Sequence, residues 1–119
     1  MRVLIVDDME LARQNIRTIL EREGIEVYEA ENGEEALKYK GNGIDVVLLD
    51  IDLPGINGIE VLKEIRKNNK TVNVVIITGM ATSDIFQQSI KYQASCFLTK
   101  PLNINALTKY ILELKKTTA

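Results

Sequence analysis

Near its N-terminus the chain reads Val3-Leu4-Ile5-Val6-Asp7-Asp8, four apolar residues followed by two aspartates. A second stretch repeats this pattern further along, Val46-Val47-Leu48-Leu49-Asp50. Short apolar runs rich in β-branched residues are typical of the buried strands of a parallel sheet. In an open parallel sheet the ligand crevice lies beyond the carboxyl ends of the strands. We therefore expect Asp7, Asp8 and Asp50 to face one crevice if the two strands are neighbours.

Two further apolar runs end in a hydroxyl and an ammonium group. Thr78 follows the run at 74–77, and Lys100 follows the run at 96–99. Three carboxylates in one crevice repel one another unless a cation or a basic side chain lies among them. An acidic pocket with one hydroxyl and one ammonium group suits a hard divalent metal together with a phosphoryl group.

Length and composition predict an ordinary globular domain. The 119 residues are enough for one core, and 45% of them are hydrophobic and 27% charged. A net charge of −2 is too small to indicate a nucleic-acid or membrane surface. No apolar stretch approaches the roughly 18 residues that span a bilayer. We therefore expect a cytoplasmic protein that binds neither membrane nor nucleic acid directly.

Cysteine and histidine content narrows the chemistry. The lone cysteine, Cys96, permits no internal disulfide and lies in an apolar run, which favours a buried thiol in a reducing compartment. The chain contains no histidine. Imidazole catalysis, histidine metal ligation and a phosphohistidine on this chain are thereby excluded.

Strand and helix patterns alternate along the whole chain. The first helix carries an apolar stripe, with Asp7-x-x-Glu10 as its expected capping box and Gly24 at its end. A strand at 25–30 and a short helix at 34–38 follow, and a loop is expected at Gly41-Asn42-Gly43.

The second half of the chain continues the alternation. Asn57 and Asn103 are expected to cap the third and fifth helices, and the fourth helix is predicted over 84–93. Five strand–helix pairs of this kind predict an α/β fold, a doubly wound parallel sheet with helices on both faces.

The order of these strand-end residues resembles a known family, the receiver domain of two-component response regulators. The segments Glu29-Ala30-Glu31-Asn32-Gly33-Glu34-Glu35-Ala36-Leu37 and Leu53-Pro54-Gly55-Ile56-Asn57-Gly58 also match it. The chain is similar to the single-domain chemotaxis-type regulators. The resemblance implies a flavodoxin-like fold with strand order 2-1-3-4-5 and five helices. It also implies a single receiver domain over residues 1–119, acting alone or excised from a larger regulator, with no output domain in this chain.

The resemblance implies a role for each acidic residue. Asp50 would accept a phosphoryl group from a phosphohistidine of a sensor kinase or a histidine phosphotransfer protein. Asp8 and Asp50 would bind Mg²⁺ directly, the backbone carbonyl of Asp52 would add a ligand, and Asp7 would act through water. Magnesium favours oxygen ligands in near-octahedral geometry and keeps several waters. Mn²⁺ or Ca²⁺ would substitute for it.

The remaining site residues follow from the same resemblance. The phosphoryl oxygens would be held by Lys100, Thr78 and the backbone N–H groups of Ile51 and Gly79. The Lys100–Pro101 peptide bond is expected to be cis, as in the family. Thr78 and Phe97 would form the switch, with the aromatic ring turning inward when the threonine moves toward the phosphoryl group.

Three positions depart from the family pattern or vary within it. Gln93 stands where the family usually has glycine. Asp52 and Met80 lie two residues after the acceptor and after Thr78, positions that tune the lifetime of the phosphoryl group in the family. The Asp52 carboxylate would either assist a hydrolytic water or repel it.

Phosphorylation is expected to act on a partner surface formed by the fourth helix, fifth strand and fifth helix. The fourth helix is polar, as befits a movable element. Lysines and a tyrosine on the two helices suggest a basic, partly aromatic face for a downstream protein or a second copy of the chain: Lys91, Lys109, Tyr110 and Lys115. The chain would catalyse only its own phosphotransfer and slow autodephosphorylation.

Two other functions compete with this interpretation. The pattern Asp50-Ile51-Asp52 also resembles the nucleophile and general acid of haloacid-dehalogenase-like phosphatases, although their nucleophile lies on the first strand. A phosphate-independent interaction domain on the same fold is the second alternative, but it would not need the complete site. Turnover of small phosphate esters would separate the phosphatase from the receiver.

Overall fold

The architecture is a five-stranded parallel sheet flanked by helices, seen in a computed structural model that describes residues 1–39 and 43–118. The strands are β1 (Arg2–Val6), β2 (Glu26–Ala30), β3 (Val46–Asp50), β4 (Asn73–Thr78) and β5 (Cys96–Thr99). The helices are α1 (Glu10–Arg22), α2 (Gly33–Tyr39), α3 (Gly58–Asn68), α4 (Ser83–Lys91) and α5 (Ile104–Thr118). The strand order β2-β1-β3-β4-β5 confirms the predicted flavodoxin-like topology.

Each face of the sheet has its own apolar core, because successive side chains of a strand point to opposite faces. Leu4 and Val6 of β1 pack with residues of α2 and α3, while Val3 and Ile5 pack with residues of α1 and α5. All five residues of β3 are buried, Asp50 among them. Asp50, the last residue of the central strand, therefore has its carboxylate at the edge of the buried core.

The asparagine caps of α3 and α5 are as predicted. Asn57 Oδ1 accepts a hydrogen bond of 3.1 Å from the Glu60 N–H, and Asn103 Oδ1 accepts one of 3.0 Å from the Ala106 N–H. Each satisfies a helix N–H that has no partner within its own helix. Local sequence is sufficient to place these two helix starts.

The predicted capping box of α1 is wrong. The helix begins at Glu10, and its N-cap residue, Met9, makes no side-chain capping bond. Asp7 Oδ1 instead accepts a 2.8 Å hydrogen bond from the Met9 N–H in the loop before the helix. Asp7 follows β1 too closely to reach the first turn, so its carboxylate stays at the crevice.

The short helix α2 begins one residue earlier than predicted, at Gly33. Asn32 Oδ1 accepts a 2.8 Å hydrogen bond from the Glu35 N–H at its first turn. In the loop expected after this helix, Gly43 has a φ of +71° that favours glycine, while Gly41 and Asn42 lie outside the described residues.

The helix α4 is shorter than predicted, and Gln93 lies beyond its end. Thr82 caps its start, and Gln93 has a left-handed φ of +63°. The guanidinium of Arg66, a residue only 8% exposed, donates to the Gln93 carbonyl through Nε at 3.0 Å and Nη2 at 2.8 Å. It also donates to the Val72 carbonyl at 2.7 Å. This clamp from α3 stabilises a conformation that glycine adopts more readily.

Candidate functional site

Three carboxylates meet at the carboxyl edge of the sheet. Asp7 and Asp8 follow β1, and Asp50 ends the neighbouring β3, whose Leu49 is paired with Val6. One carboxylate oxygen of each aspartate lies within 4.8 Å of the other two. Asp8 is exposed, Asp7 is half-buried and Asp50 is 2% exposed. The pocket therefore presents oxygen ligands at graded depth, open to solvent on the Asp8 side.

The electrostatics of Asp7 reflect this crowding. Burial raises the pKa of the Asp7 carboxyl, and the negative charge of Asp50 adds to the effect, against the opposing hydrogen bond from Met9. The positive charge of Lys100 lowers this pKa but does not offset burial, so further positive charge in the pocket would favour the ionised carboxylate. A bound divalent cation would supply that charge.

Lys100 partly neutralises the negative charge of Asp50. Its Nζ donates to Asp50 Oδ2 at 2.8 Å. Burial alone would lower the pKa of this ammonium group, but the hydrogen bond and the charges of Asp50 and Asp52 outweigh it and raise the pKa above its ordinary value. The Lys100 N–H donates to the Thr78 carbonyl at 2.8 Å, and the Lys100–Pro101 peptide bond is cis. The lysine is thus charged and directed at Asp50.

The backbone donor beside Asp50 is not the one expected. The Ile51 N–H donates to the Ile77 carbonyl at 3.0 Å, which extends the β3–β4 ladder. The Asp52 N–H instead donates to Asp50 Oδ1 at 2.8 Å. The assignment of Ile51 as a phosphoryl-binding donor is therefore wrong for this structure, because strand pairing already uses its N–H group.

The Asp52 side chain lies inside the site. Its Oδ1 accepts from the Thr78 hydroxyl at 3.3 Å, and its Oδ2 accepts from the Gly79 N–H at 3.0 Å. The same Oδ2 lies 3.6 Å from Lys100 Nζ. Thr78 is fully buried, and its hydroxyl also accepts from the Met80 N–H at 3.0 Å. Asp52 thus lies beside three groups that the family resemblance assigns to the phosphoryl oxygens: the Thr78 hydroxyl, the Gly79 N–H and the Lys100 ammonium group.

Phe97 lies on β5, three residues before Lys100. It is partly buried against the core, and its ring meets Phe86 of α4 edge-on, with 5.3 Å between ring centroids and an interplanar angle of 85°. Phe97 therefore links β5 to α4. Met80 is 63% exposed at the start of the loop before α4.

The surface around α4 is more apolar than the sequence suggested. Phe86 is 46% exposed and Ile90 is 61% exposed. Tyr110, by contrast, is half-buried and donates to Asn73 Oδ1 at 2.9 Å, and Lys115 donates to the carbonyl of Glu23 after α1. These two contacts direct Tyr110 toward β4 and Lys115 toward α1. The prediction that both side chains belong to a basic, partly aromatic partner face is therefore wrong.

One contact to the site was missed by the sequence analysis. Arg13 Nη1 donates to the Asp7 carbonyl at 2.6 Å, and Arg13 Nε bonds Glu29 Oε1 at 2.9 Å. Arg17 Nη1 bonds the other oxygen of Glu29 at 2.5 Å. Glu29 belongs to a segment that matches the family, but nothing local in the sequence indicates that it supports the Asp7 loop through an arginine.

Comparison with known proteins identifies the family. The family model for the response regulator receiver domain matches residues 3–112. This chain is a receiver domain. It is 35% identical over 117 residues to the chemotaxis protein CheY of Thermotoga maritima, covering 97% of this chain and 98% of that protein.

Receiver domains also occur within longer relatives. The receiver is 37% identical over 107 residues to a cyclic di-GMP phosphodiesterase of T. maritima, covering 90% of this chain but only 29% of that protein. It also resembles the crystal structure of response regulator TrrA from T. maritima in complex with Mg²⁺-BeF, with 37% identity and a TM-score of 0.83. That alignment covers 95% of this chain and 97% of TrrA.

Membership of this family establishes the general function. Response regulator receivers are signalling modules that histidine kinases phosphorylate and that act on downstream targets, so this receiver functions in phosphorelay signal transduction. This confirms the receiver interpretation over the phosphatase alternative. Within the described part of the receiver, every helix is too short or too polar to cross a membrane.

Proposed function

We propose that Asp50 is the residue of this receiver that accepts the phosphoryl group. The observation that supports this most strongly is the environment of its carboxylate. Lys100 Nζ and the Asp52 N–H bind its two oxygens separately, while Asp7 and Asp8 lie beside it. A carboxylate held in this way is directed toward the crevice and is ready to attack an electrophile.

The donor is a phosphohistidine of a sensor kinase or of a histidine phosphotransfer protein, as expected of a receiver domain. This chain has no histidine, so the phosphohistidine belongs to another protein. An oxygen of Asp50 forms a bond to phosphorus as the bond between phosphorus and the donor imidazole nitrogen breaks. The imidazole leaves with the electron pair and takes up a proton. The protein contributes position and charge stabilisation, which are the main requirements of phosphoryl transfer.

Four groups line the space that the transferred phosphoryl group would enter: the Lys100 ammonium, the Thr78 hydroxyl and the N–H groups of Gly79 and Asp52. Asp52 replaces Ile51 in this set because its N–H already faces Asp50. Preorganised donors of this kind stabilise developing charge without reorganising during the reaction.

The acidic pocket fits a divalent cation. Its three carboxylates, Asp7, Asp8 and Asp50, supply the oxygen ligands that such an ion prefers. Asp8 and Asp50 would hold Mg²⁺ directly, with the Asp52 carbonyl as a third ligand and Asp7 acting through water. Mn²⁺ or Ca²⁺ would replace it. When bound, the cation neutralises charge on the phosphoryl oxygens.

The receiver acts on its own carboxylate and does not turn over a small substrate. Release of phosphate from Asp50 is then a slow autodephosphorylation, with Asp52 and Met80 beside the group whose lifetime they tune. Thr78 and Phe97 carry the change to α4, and the surface of α4, β5 and α5 contacts a downstream protein or a second copy of the chain.

Phosphorylation with acetyl phosphate and Mg²⁺ tests the assignment. Asp50→Asn should abolish acid-labile incorporation while leaving the thermal unfolding transition cooperative. Glu64→Gln, which removes a carboxylate from the exposed surface of α3, is the matched control and should incorporate label at the wild-type rate. Labelling of Asp50→Asn at the wild-type rate would exclude Asp50 as the acceptor.

Metal binding gives an independent measurement. Asp8→Ala should weaken Mg²⁺ binding more than Asp7→Ala, since only the first change removes a direct ligand. Calorimetric titration of both variants with MgCl₂ measures this difference. Equal losses, or a larger loss for Asp7→Ala, would contradict the proposed ligand set.

A further inference from the structure

We propose that the Asp52 carboxylate is an internal competitor of the phosphoryl group, occupying its binding groups until phosphorylation displaces it. This inference rests on the proposed role of Asp50 as acceptor and deepens it. It assigns to Asp52 a function before phosphoryl transfer, distinct from any effect on the lifetime of the product.

The contacts of Asp52 carry the inference. One carboxylate oxygen accepts from the Thr78 hydroxyl at 3.3 Å, and the other accepts from the Gly79 N–H at 3.0 Å and lies 3.6 Å from Lys100 Nζ. A phosphoryl group on Asp50 needs the same hydroxyl, the same N–H and the same ammonium group. The side chain therefore places an anion where phosphoryl oxygens are to bind.

The position of Asp52 in the chain makes this overlap possible. It is two residues after Asp50, and its own N–H donates to Asp50 Oδ1 at 2.8 Å. The acceptor and the competing carboxylate thus leave the same turn, and Lys100 Nζ lies near an oxygen of each, at 2.8 Å from Asp50 and 3.6 Å from Asp52. The backbone N–H of Asp52 contributes to binding while its side chain opposes it.

Displacement of this side chain has an energetic consequence. Two anions cannot share one N–H group and one hydroxyl, and their mutual repulsion in a partly buried site is unfavourable. The Asp52 carboxylate must therefore turn away when a phosphoryl group enters, and it can do so because 31% of its side chain already faces solvent. Its hydrogen bonds to Thr78 and Gly79 are lost in the process, which weakens net phosphoryl binding.

The same contacts also hold the switch in its unphosphorylated position. Thr78 ends β4 and Gly79 begins the loop toward α4. While Asp52 binds both residues, the loop has an anionic partner other than the phosphoryl group. Asp52 thus favours the resting conformation in addition to competing for the donors.

Calorimetric titration with beryllofluoride at saturating Mg²⁺ tests the competition directly. Saturating metal is needed because removal of a nearby negative charge weakens Mg²⁺ binding independently. Asp52→Ala should bind beryllofluoride about tenfold more tightly than the wild type, the effect of losing one charged hydrogen-bond acceptor. Asp52→Asn keeps the side-chain size and an oxygen acceptor but loses the charge, so its affinity should lie between the two.

The matched control is again Glu64→Gln, which removes one negative charge from the exposed surface of α3. Its affinity for beryllofluoride should equal that of the wild type. If Asp52→Ala and Asp52→Asn bind beryllofluoride no more tightly than the wild type does, the proposed competition is overturned. An equal gain in Glu64→Gln would also overturn it, since the effect would then arise from net charge alone.

A spectroscopic measurement without metal or beryllofluoride separates this inference from the proposed function. The Gly79 amide proton should shift upfield in Asp52→Ala, because its hydrogen bond to the carboxylate is lost, and the Val74 amide in the interior of β4 should not shift. An unchanged Gly79 resonance would overturn the inference even where Asp50 is phosphorylated normally. A wild-type chain that binds no beryllofluoride would overturn the assignment of Asp50 as well.

Discussion

Asp50 shows how a nearly buried carboxylate is tolerated in this receiver. A buried charge is strongly destabilising unless it is paired and hydrogen-bonded. Lys100 supplies the opposite charge to one oxygen, and the Asp52 N–H supplies a hydrogen bond to the other. The same two partners that stabilise the resting carboxylate would stabilise the negative charge that accumulates during phosphoryl transfer.

The glycine at position 58 is required by close approach of the backbone. A Cβ atom there would lie 2.5 Å from Ile51 Cα and 2.9 Å from the Asp50 carbonyl oxygen. Both are backbone atoms, so a side-chain rotation cannot relieve the contact. We expect Gly58→Ala to lower the free energy of unfolding by about 2 kcal/mol, measured by urea denaturation. The phosphorylation rate should fall as well, since the displaced backbone carries Asp50.

A second glycine provides the comparison. A Cβ atom at Gly79 would have Lys100 Cδ as its nearest contact at 3.6 Å, an ordinary van der Waals distance. Gly79→Ala should therefore unfold within about 0.5 kcal/mol of the wild type. Equal destabilisation by the two substitutions would show that close approach at position 58 is not the cause.

Among the secondary-structure elements, α1 and β2 are joined by ion pairs that extend to the candidate site. Glu29 on β2 binds Arg13 and Arg17 on α1, and Arg13 also binds the Asp7 carbonyl. Arg13 and Glu29 have side chains only 12% and 24% exposed. This network therefore positions the loop that carries Asp7 and Asp8.

The ion pairs of Glu29 predict a pH-dependent stability. Burial acts to raise the pKa of the Glu29 carboxyl, but the hydrogen bonds from Arg17 and Arg13 outweigh it and lower the pKa. A carboxyl with a lowered pKa in the folded state stabilises the protein above its unfolded pKa, about 4.3 for glutamate. That contribution disappears as the pH falls through the folded-state pKa.

Glu29→Gln should therefore lower the free energy of unfolding by about 1 kcal/mol at pH 7, a value kept small by solvent screening. The difference from wild type should shrink toward zero below about pH 4 in urea denaturation at several pH values. Glu60→Gln is the control, because Glu60 pairs with Lys63 on the exposed surface of α3 and should change stability little. A destabilisation by Glu29→Gln that is the same at pH 7 and pH 3 would contradict the electrostatic origin.

Over the whole molecule, the candidate site and the proposed partner surface are separate. The site lies at the carboxyl edge of the sheet, and the surface consists of α4, β5 and α5. The proposed acceptor, Asp50, is at the end of the central β3, while β5 is an edge strand next to β4 alone. Phe97 of β5 contacts Phe86 of α4, and the neighbouring Ile90 is 61% exposed. A phosphoryl group can affect this surface only by favouring one of two packings of the elements between them.

Amide hydrogen exchange with and without beryllofluoride and Mg²⁺ measures this propagation. Protection changes should concentrate between Gly79 and Phe97. This segment begins at an N–H group proposed to bind the phosphoryl oxygens and ends at the aromatic residue proposed for the switch. Asp50→Asn should show none of these changes under the same conditions. Changes confined to β2 and α2 would contradict the proposed route and place the partner surface on the opposite edge.

The sequence was sufficient to predict the order of elements and the strand ends that carry Asp7, Asp8, Asp50, Thr78 and Lys100. Alternation of apolar runs and helical stripes is a local property of the chain, and parallel strands necessarily bring their carboxyl ends to one edge. The caps Asn57 and Asn103 were predictable for the same reason, since a cap bonds an N–H group only a few residues away.

Contacts between distant segments required the folded chain. The Asp50 carboxylate binds the Asp52 N–H and not the Ile51 N–H, because the Ile51 N–H is hydrogen-bonded to β4. The position of the Asp52 carboxylate depends on Thr78 and Gly79, and the conformation of Gln93 depends on Arg66. Such partners are far apart in the chain, and no local pattern encodes their distance, because it arises only when the strands and helices pack together.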